Sequence, residues 1–90
     1  MARGWNLALA ASAERSLNRL PPKVAAATVE FILGPLIGEP RRVGHPLQRE
    51  LKGLWSARRG AYRILYELNE REHVVNVVRI DHRSDVYRPR

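Results

Sequence analysis

Cysteine is absent from these 90 residues, which excludes both a disulfide framework and a thiolate metal centre and suits a reducing interior. The expected location is therefore the bacterial cytoplasm. Long apolar runs are missing too: nothing approaches the roughly 20 residues of a membrane-spanning helix, so no membrane partner is expected. The opening MARGWNLALAASA imitates a leader peptide, with Arg3 ahead of an apolar run and Ala11-Ser12-Ala13 shaped like a cleavage site. Its apolar run is short and interrupted by Asn6, and the stretch reads as a first strand. The three histidines, His45, His73 and His82, lack ligand spacing with acidic partners, so no metal and no cofactor are expected. Low-complexity tracts, repeats and a second compositional block are absent as well, which leaves one domain over residues 1–90.

What the chain has in excess is positive charge. Sixteen Lys and Arg face nine Asp and Glu, a formal +7 with a pI near 11.0, and such a surface seeks a polyanion. The distribution is uneven, because only Arg3, Arg15, Arg19 and Lys23 precede position 39. Lysine is confined to Lys23 and Lys52, and arginine favours planar, bidentate contact with phosphate. The hydrophobic share of 44% is enough for a folded domain with one small core.

Periodicity gives the elements. WNLALA alternates Trp5, Leu7 and Leu9 as a strand does. Ser12 is expected to cap a helix that carries Glu14 in its first turn and Ala13, Leu17 and Leu20 along one face. Pro21-Pro22 stops it, and Pro22 opens a second helix with an apolar stripe through Val24, Thr28, Phe31, Ile32 and Leu36. Pro35 should kink or end that helix. GEPRRVGHP then reads as a basic loop rich in turn formers, followed by three extended runs, LWSAR, AYRILYEL and HVVNVVRI, most economically an antiparallel meander. The expected fold is α+β: an N-terminal strand, two amphipathic helices on one face of an antiparallel sheet of about four strands, and a short C-terminal tail or helix.

One strand residue stands out. In AYRILYEL, Tyr62, Ile64 and Tyr66 share one side, which leaves Arg63 on the other with Leu65 and Glu67. A guanidinium in the middle of an apolar strand needs an anion or open water. Arg58 ends the strand before it, Arg79 lies near the end of the strand after it, and the closing RIDHRSDVYRPR adds His82, Arg83, Tyr87 and Arg88. Convergence of these groups on the helix-free face would supply what metal-free RNA cleavage requires: a base for the 2'-hydroxyl, cations for the phosphate, and an acid for the departing 5'-oxygen. His82 fits base or acid, Arg63 and Arg83 fit the phosphate, and Tyr87 fits orientation, stacking or proton donation. The same basic face fits binding without chemistry equally well. Trp5 and Trp55 read as packing residues, and His45 and His73 lack a comparable basic neighbourhood.

The segment RRGAYRILY, Arg58 to Tyr66, with its Arg-x-Gly-x-Tyr-Arg-x-x-Tyr spacing, and the closing His-Arg-x-x-x-Tyr from His82 to Tyr87 resemble the RelE branch of the RelE/ParE superfamily of bacterial type II toxins. The resemblance spans nearly the whole chain. It implies an mRNA endoribonuclease that works in the A site of the 70S ribosome and inhibits translation, and an acidic, helical RelB-like antitoxin as cognate partner. Operator DNA is implied only through the toxin–antitoxin complex. By position, the resemblance implies that Arg63 binds the reacting phosphate, that Tyr87, His82 and Arg83 complete the catalytic set, and that Arg58, Arg59, Arg79, Arg88 and Lys52 contact RNA. Arg41, Arg42 and Arg49 are expected as secondary ribosome contacts. Two departures stand out: Leu54 and Ser56 occupy positions where some members carry lysines, and Asp81 stands where another arginine occurs. These shift base duty toward His82. Two alternatives stay open: a ParE-like gyrase inhibitor without nuclease activity, and a catalytically weak RNA-binding or operon-regulating member.

Overall fold

Five short strands, alternating in side-chain direction, build one sheet in the structure, a computed structural model that describes residues 4–82. They are β1 (Asn6–Leu9), β2 (Gly44–Pro46), β3 (Trp55–Arg59), β4 (Tyr62–Asn69) and β5 (Val74–His82), in the spatial order β1-β5-β4-β3-β2. Strands β2 to β5 pair antiparallel and β1 lies parallel to β5. The α+β expectation holds with two adjustments, and the expected C-terminal tail or helix lies outside the described residues. The sheet is mixed, and a fifth strand arises inside GEPRRVGHP, which the sequence marked as loop. Three residues ending in proline carry almost no strand signal, and Pro46 is tolerated because β2 is an edge strand, where a missing N–H disrupts no ladder. The β3–β4 turn is made by Gly60 and Ala61, with Gly60 at φ 62°, a left-handed conformation that costs glycine nothing.

Two helices, α1 (Ala11–Arg19) and α2 (Pro22–Phe31), follow β1. Ser12 does not cap α1. The cap position is Ala10, and the Ser12 hydroxyl instead donates to the Val78 carbonyl at 2.5 Å, tying the helix to β5. Pro22 sits in the first turn of α2 as expected. As expected of Pro35, the α-helix ends at Phe31, and the chain continues through a wider π-type turn, Ile32–Leu36, in which both end residues are buried. Such a turn absorbs the missing proline N–H and keeps Ile32 and Leu36 facing the sheet. A further turn of helix, α3 (Pro40–Val43), leads into β2.

The core lies between these helices and one face of the sheet, with Ala13, Ile32, Leu36, Ala57, Ile64, Tyr66, Val75, Val77 and Ile80 at its centre. Tyr66 is fully buried, and its hydroxyl donates to the Pro40 carbonyl at 2.6 Å. Burial pushes its ionisation up to about 12 from 10.0. Gly44 makes room for this ring, since a Cβ there would fall inside the Tyr66 hydroxyl and 2.8 Å from the Ser56 carbonyl oxygen.

A register shift decides which β5 side chains face the core. Leu65 pairs with Arg79 but Tyr66 pairs with Val77, which leaves Val78 as an extra residue. Without it, strict alternation would carry Val75, Val77 and Arg79 to the same side. The bulge resets the phase, so Val75, Val77 and Ile80 all face inward while Arg79 faces out.

Candidate functional site

Directly paired residues on neighbouring strands point to the same side of a sheet, with Cβ atoms roughly 5 Å apart. Arg58 pairs with Arg63 and Arg63 with Asp81, so these three form one row across β3, β4 and β5 on the face away from the helices. The next row holds Ser56, Leu65 and Arg79. Arg79 reaches back along its strand, and its Nε donates to the Asp81 carboxylate at 2.7 Å. Asp81 is the more sheltered partner, its side chain 20% exposed against 56% for Arg79. Arg58 and Arg63 thus stand beside the Arg79–Asp81 pair, and the patch gathers three guanidinium groups of a kind that suits a phosphate.

The same register sends His82 the other way. It pairs with Tyr62 on the helix-facing side, and the two rings meet edge to face with centroids 5.0 Å apart and planes at 85°. The structure therefore brings Arg58, Arg63, Arg79 and Asp81 together and directs His82 to the opposite face, whereas the expectation had set it beside Arg63 on the helix-free face. The cause is parity: Arg63 lies opposite Asp81, one residue short of His82. Arg83, Tyr87 and Arg88 lie outside the described residues. Arg59, opposite Tyr62, also falls on the helix-facing side, where it lines a groove with Lys23 and Val24 of α2.

The expected ribosome contacts differ among themselves. Arg41 lies 5.2 Å over the Trp5 ring and pairs with Glu70, and Trp5 in turn stacks on His73 at 4.2 Å with planes 15° apart. Trp5 is thus a buried packing residue, as its strand pattern suggested, and His73 has an aromatic partner that sequence proximity did not reveal. Arg42 pairs with Glu39 at 3.0 Å. Arg49 and Lys52 are exposed in the short turn Arg49–Leu51 and just after it, with Arg49 at φ 60°.

Sequence reading passed over Arg15 and Arg19. Four apart on α1, they share one face of that helix and line a cleft of about 440 Å³ between α1 and the end of β5, together with Tyr62 and His82. Their spacing was the available signal; what hid it was that the opposing wall comes from residues more than 40 positions away.

A family profile described as "ParE toxin of type II toxin-antitoxin system, parDE" matches residues 7–87. Toxin RelG of Mycobacterium tuberculosis is 53% identical over 77 residues, covering 86% of this chain and 88% of that protein. Toxin RelE of the same organism is 49% identical over 84 residues, covering 93% and 87%. The chain belongs to the RelE/ParE family of type II toxins. Among solved structures, the toxin–antitoxin complex RelBE2 from M. tuberculosis matches with TM-score 0.86 at 48% identity, covering 89% of this chain and 99% of that one. The archaeal RelE–RelB complex from Pyrococcus horikoshii shares the fold with TM-score 0.69 at 24% identity, covering 92% and 97%. The mixed sheet backed by two helices is thus a RelE-like scaffold, and the Arg58–Arg63–Asp81 row lies on its helix-free face. No helix of the described residues is long and apolar enough to cross a membrane.

Proposed function

We propose that this toxin is a metal-independent, ribosome-dependent mRNA endoribonuclease, held in check by an acidic, helical antitoxin. The observation that carries the reading is the row of Arg58 and Arg63, extended by Arg79, on the helix-free sheet face. In the proposed reaction the 2'-hydroxyl of the scissile nucleotide loses its proton to a base and attacks the adjacent phosphorus. The bond from phosphorus to the 5'-oxygen breaks, and that oxygen takes a proton from an acid. The products are a 2',3'-cyclic phosphate and a 5'-hydroxyl. Arg63 and Arg58 hold the non-bridging oxygens as charge builds on them. Proton transfer is assigned first to Tyr87, with Arg83 as a further cation; His82, set against Tyr62 on the helix-facing side, takes part where the RNA reaches round the end of β5. The A-site mRNA of the 70S ribosome is the proposed substrate, and cytoplasmic action follows from it. The antitoxin proposal draws on the similar RelBE2 toxin, whose structure is that of a toxin–antitoxin complex.

A second reading comes from the matching profile, whose description names ParE. In that reading the chain binds gyrase and leaves RNA intact. The near-half identity to toxins named RelE and RelG favours the first. The test is product chemistry on translating ribosomes. Wild-type toxin is expected to cut A-site mRNA and leave cyclic-phosphate ends, and Arg63→Ala to slow cleavage by about a hundredfold. His82→Ala separates the proton carriers: retained cleavage would leave the proton steps to Tyr87. Intact mRNA together with blocked supercoiling would replace this reading with the gyrase one.

A further inference from the structure

Strand β1 accompanies β5 only as far as the pairing of Leu9 with Val77, where the Ala10 N–H closes the contact on the Val77 carbonyl at 2.9 Å. Past this point α1 takes over, docked by the Ser12 bond to Val78. Among the described residues, the β5 edge from Arg79 to His82 has no strand beside it, and the cleft between α1 and β5 opens there. Because it lies at an edge, the cleft is reached from both faces: Arg79 and Asp81 belong to the helix-free side and His82 to the helix side, yet all contribute to its wall.

The charge of this cleft is unbalanced. Arg15 and Arg19 stand four residues apart on α1, an arrangement in which like charges repel. Among the described residues neither has an ion pair. The one carboxylate in the lining, Asp81, is already bonded to Arg79. The serine protons are committed as well, Ser12 to Val78 and Ser16 to the Ser12 carbonyl at 2.9 Å. What the cleft offers an incoming group is therefore guanidinium donors beside the His82 imidazole, with the half-buried Tyr62 ring, met edge to face by His82, as an apolar surface in its lining.

We propose that the α1–β5 cleft is a second phosphodiester-binding subsite, in which Arg15 and Arg19 take the backbone of a single RNA strand as it passes around the β5 edge from the Arg58–Arg63 row. A small anion would need only the two arginines. A strand also uses the continuity of the edge with the first row and the ring of Tyr62, on which a base can stack. The inference rests on the nuclease reading for its choice of RNA, and it adds residues which that reading does not include.

The test is binding of a fluorescent 2'-O-methyl RNA of about 12 nucleotides, which has no free 2'-hydroxyl and stays intact. Full-length toxin is titrated by anisotropy across a series of salt concentrations. Arg15→Gln/Arg19→Gln is expected to weaken binding about tenfold and to flatten the salt dependence by about 1.4 log units per log of salt, about 0.7 for each lost phosphate contact. Arg71→Gln, on the exposed β4–β5 turn, gauges the effect of one positive charge lost outside the cleft and should change affinity less than about twofold. Arg15→Lys/Arg19→Lys keeps the charge and should restore the salt slope, and thermal melting monitors the fold of each variant. Unchanged affinity and slope in the Gln pair would overturn the proposal. So would lost binding of a poly-glutamate peptide with unaltered RNA binding, which would assign the cleft to an acidic protein segment. A wild-type protein that binds this RNA through Arg15 and Arg19 but cuts no ribosomal mRNA would overturn the nuclease reading and leave the subsite standing.

Discussion

The two faces of the β3–β5 sheet come from the same three strands and obey opposite rules. On one, Ala57, Ile64, Tyr66, Val75, Val77 and Ile80 are each no more than 4% exposed. On the other, alternate residues of those strands include Arg58, Arg63, Arg79 and Asp81, next to the buried Ser56 and Leu65. The helix-side face is paid for in apolar burial, roughly 25 cal/mol per Å², and keeps the charged Arg59 at its exposed end. The helix-free face gathers Arg58, Arg63 and Arg79 around Asp81, a grouping of guanidinium donors suited to an anion. Apolar core and basic row are thus separated by parity, and the bulge at Val78 lets β5 serve both faces along its whole length.

The sharpest way to break this separation is to strike the core side where it is tightest. Gly44→Ala inserts a methyl group into the space of the Tyr66 hydroxyl. The ring must shift, and both overpacking and the loss of the bond to Pro40 follow. A loss of about 3 kcal/mol is expected in chemical denaturation, with RNA affinity per folded molecule unchanged. An unaltered midpoint would mean that β2 and α3 are loosely held and that the core side ends before them.

Tyr66→Phe probes the same place more gently. It leaves the Pro40 carbonyl without its donor and should cost about 1–2 kcal/mol. The phenol also sets a pH window. Its folded ionisation is raised to about 12 from 10.0, so above pH 10 the unfolded chain gives up this proton more readily than the folded one. Bound protons then favour the native state, and stability must fall as pH rises from 10 toward 12. Denaturation midpoints of the wild type should drop more steeply across that window than those of the Phe variant. Parallel curves would show that the hydroxyl titrates alike in both states.

How far the sequence alone reaches follows the same division. Alternation in AYRILYEL puts Ile64 and Tyr66 inward and Arg63 outward, as the structure has them, because a period of two is a local property of the chain. The second proline of Pro21-Pro22 marks the start of α2 for an equally local reason. Three features were out of reach. The strand at Gly44–Pro46 exists only because β3 offers an edge. The direction of His82 depends on its register against Tyr62 and on the phase reset at Val78, for which the doubled Val77-Val78 is the sole trace in the sequence. The stack of Arg41, Trp5 and His73 joins segments more than 30 residues apart, and no spacing rule connects them.

The smallest expected effect sharpens the comparison on the open face. Asp81 accepts from Arg79 and stands beside Arg63 in the same row, so its carboxylate competes with any phosphate for their charge. Asp81→Asn removes that competitor and keeps the side chain's size. A partly exposed pair of this kind is worth about 0.2–1 kcal/mol, so the denaturation midpoint should barely move. Affinity for a non-cleavable RNA should rise about threefold, because the freed guanidinium charge passes to the ligand. On the core face, loss of a polar partner weakens the molecule; on the open face, the same kind of loss should strengthen its grip. Weaker RNA binding by Asp81→Asn would reverse this expectation and make Asp81 a positioning residue that holds Arg79 in the orientation a phosphate requires.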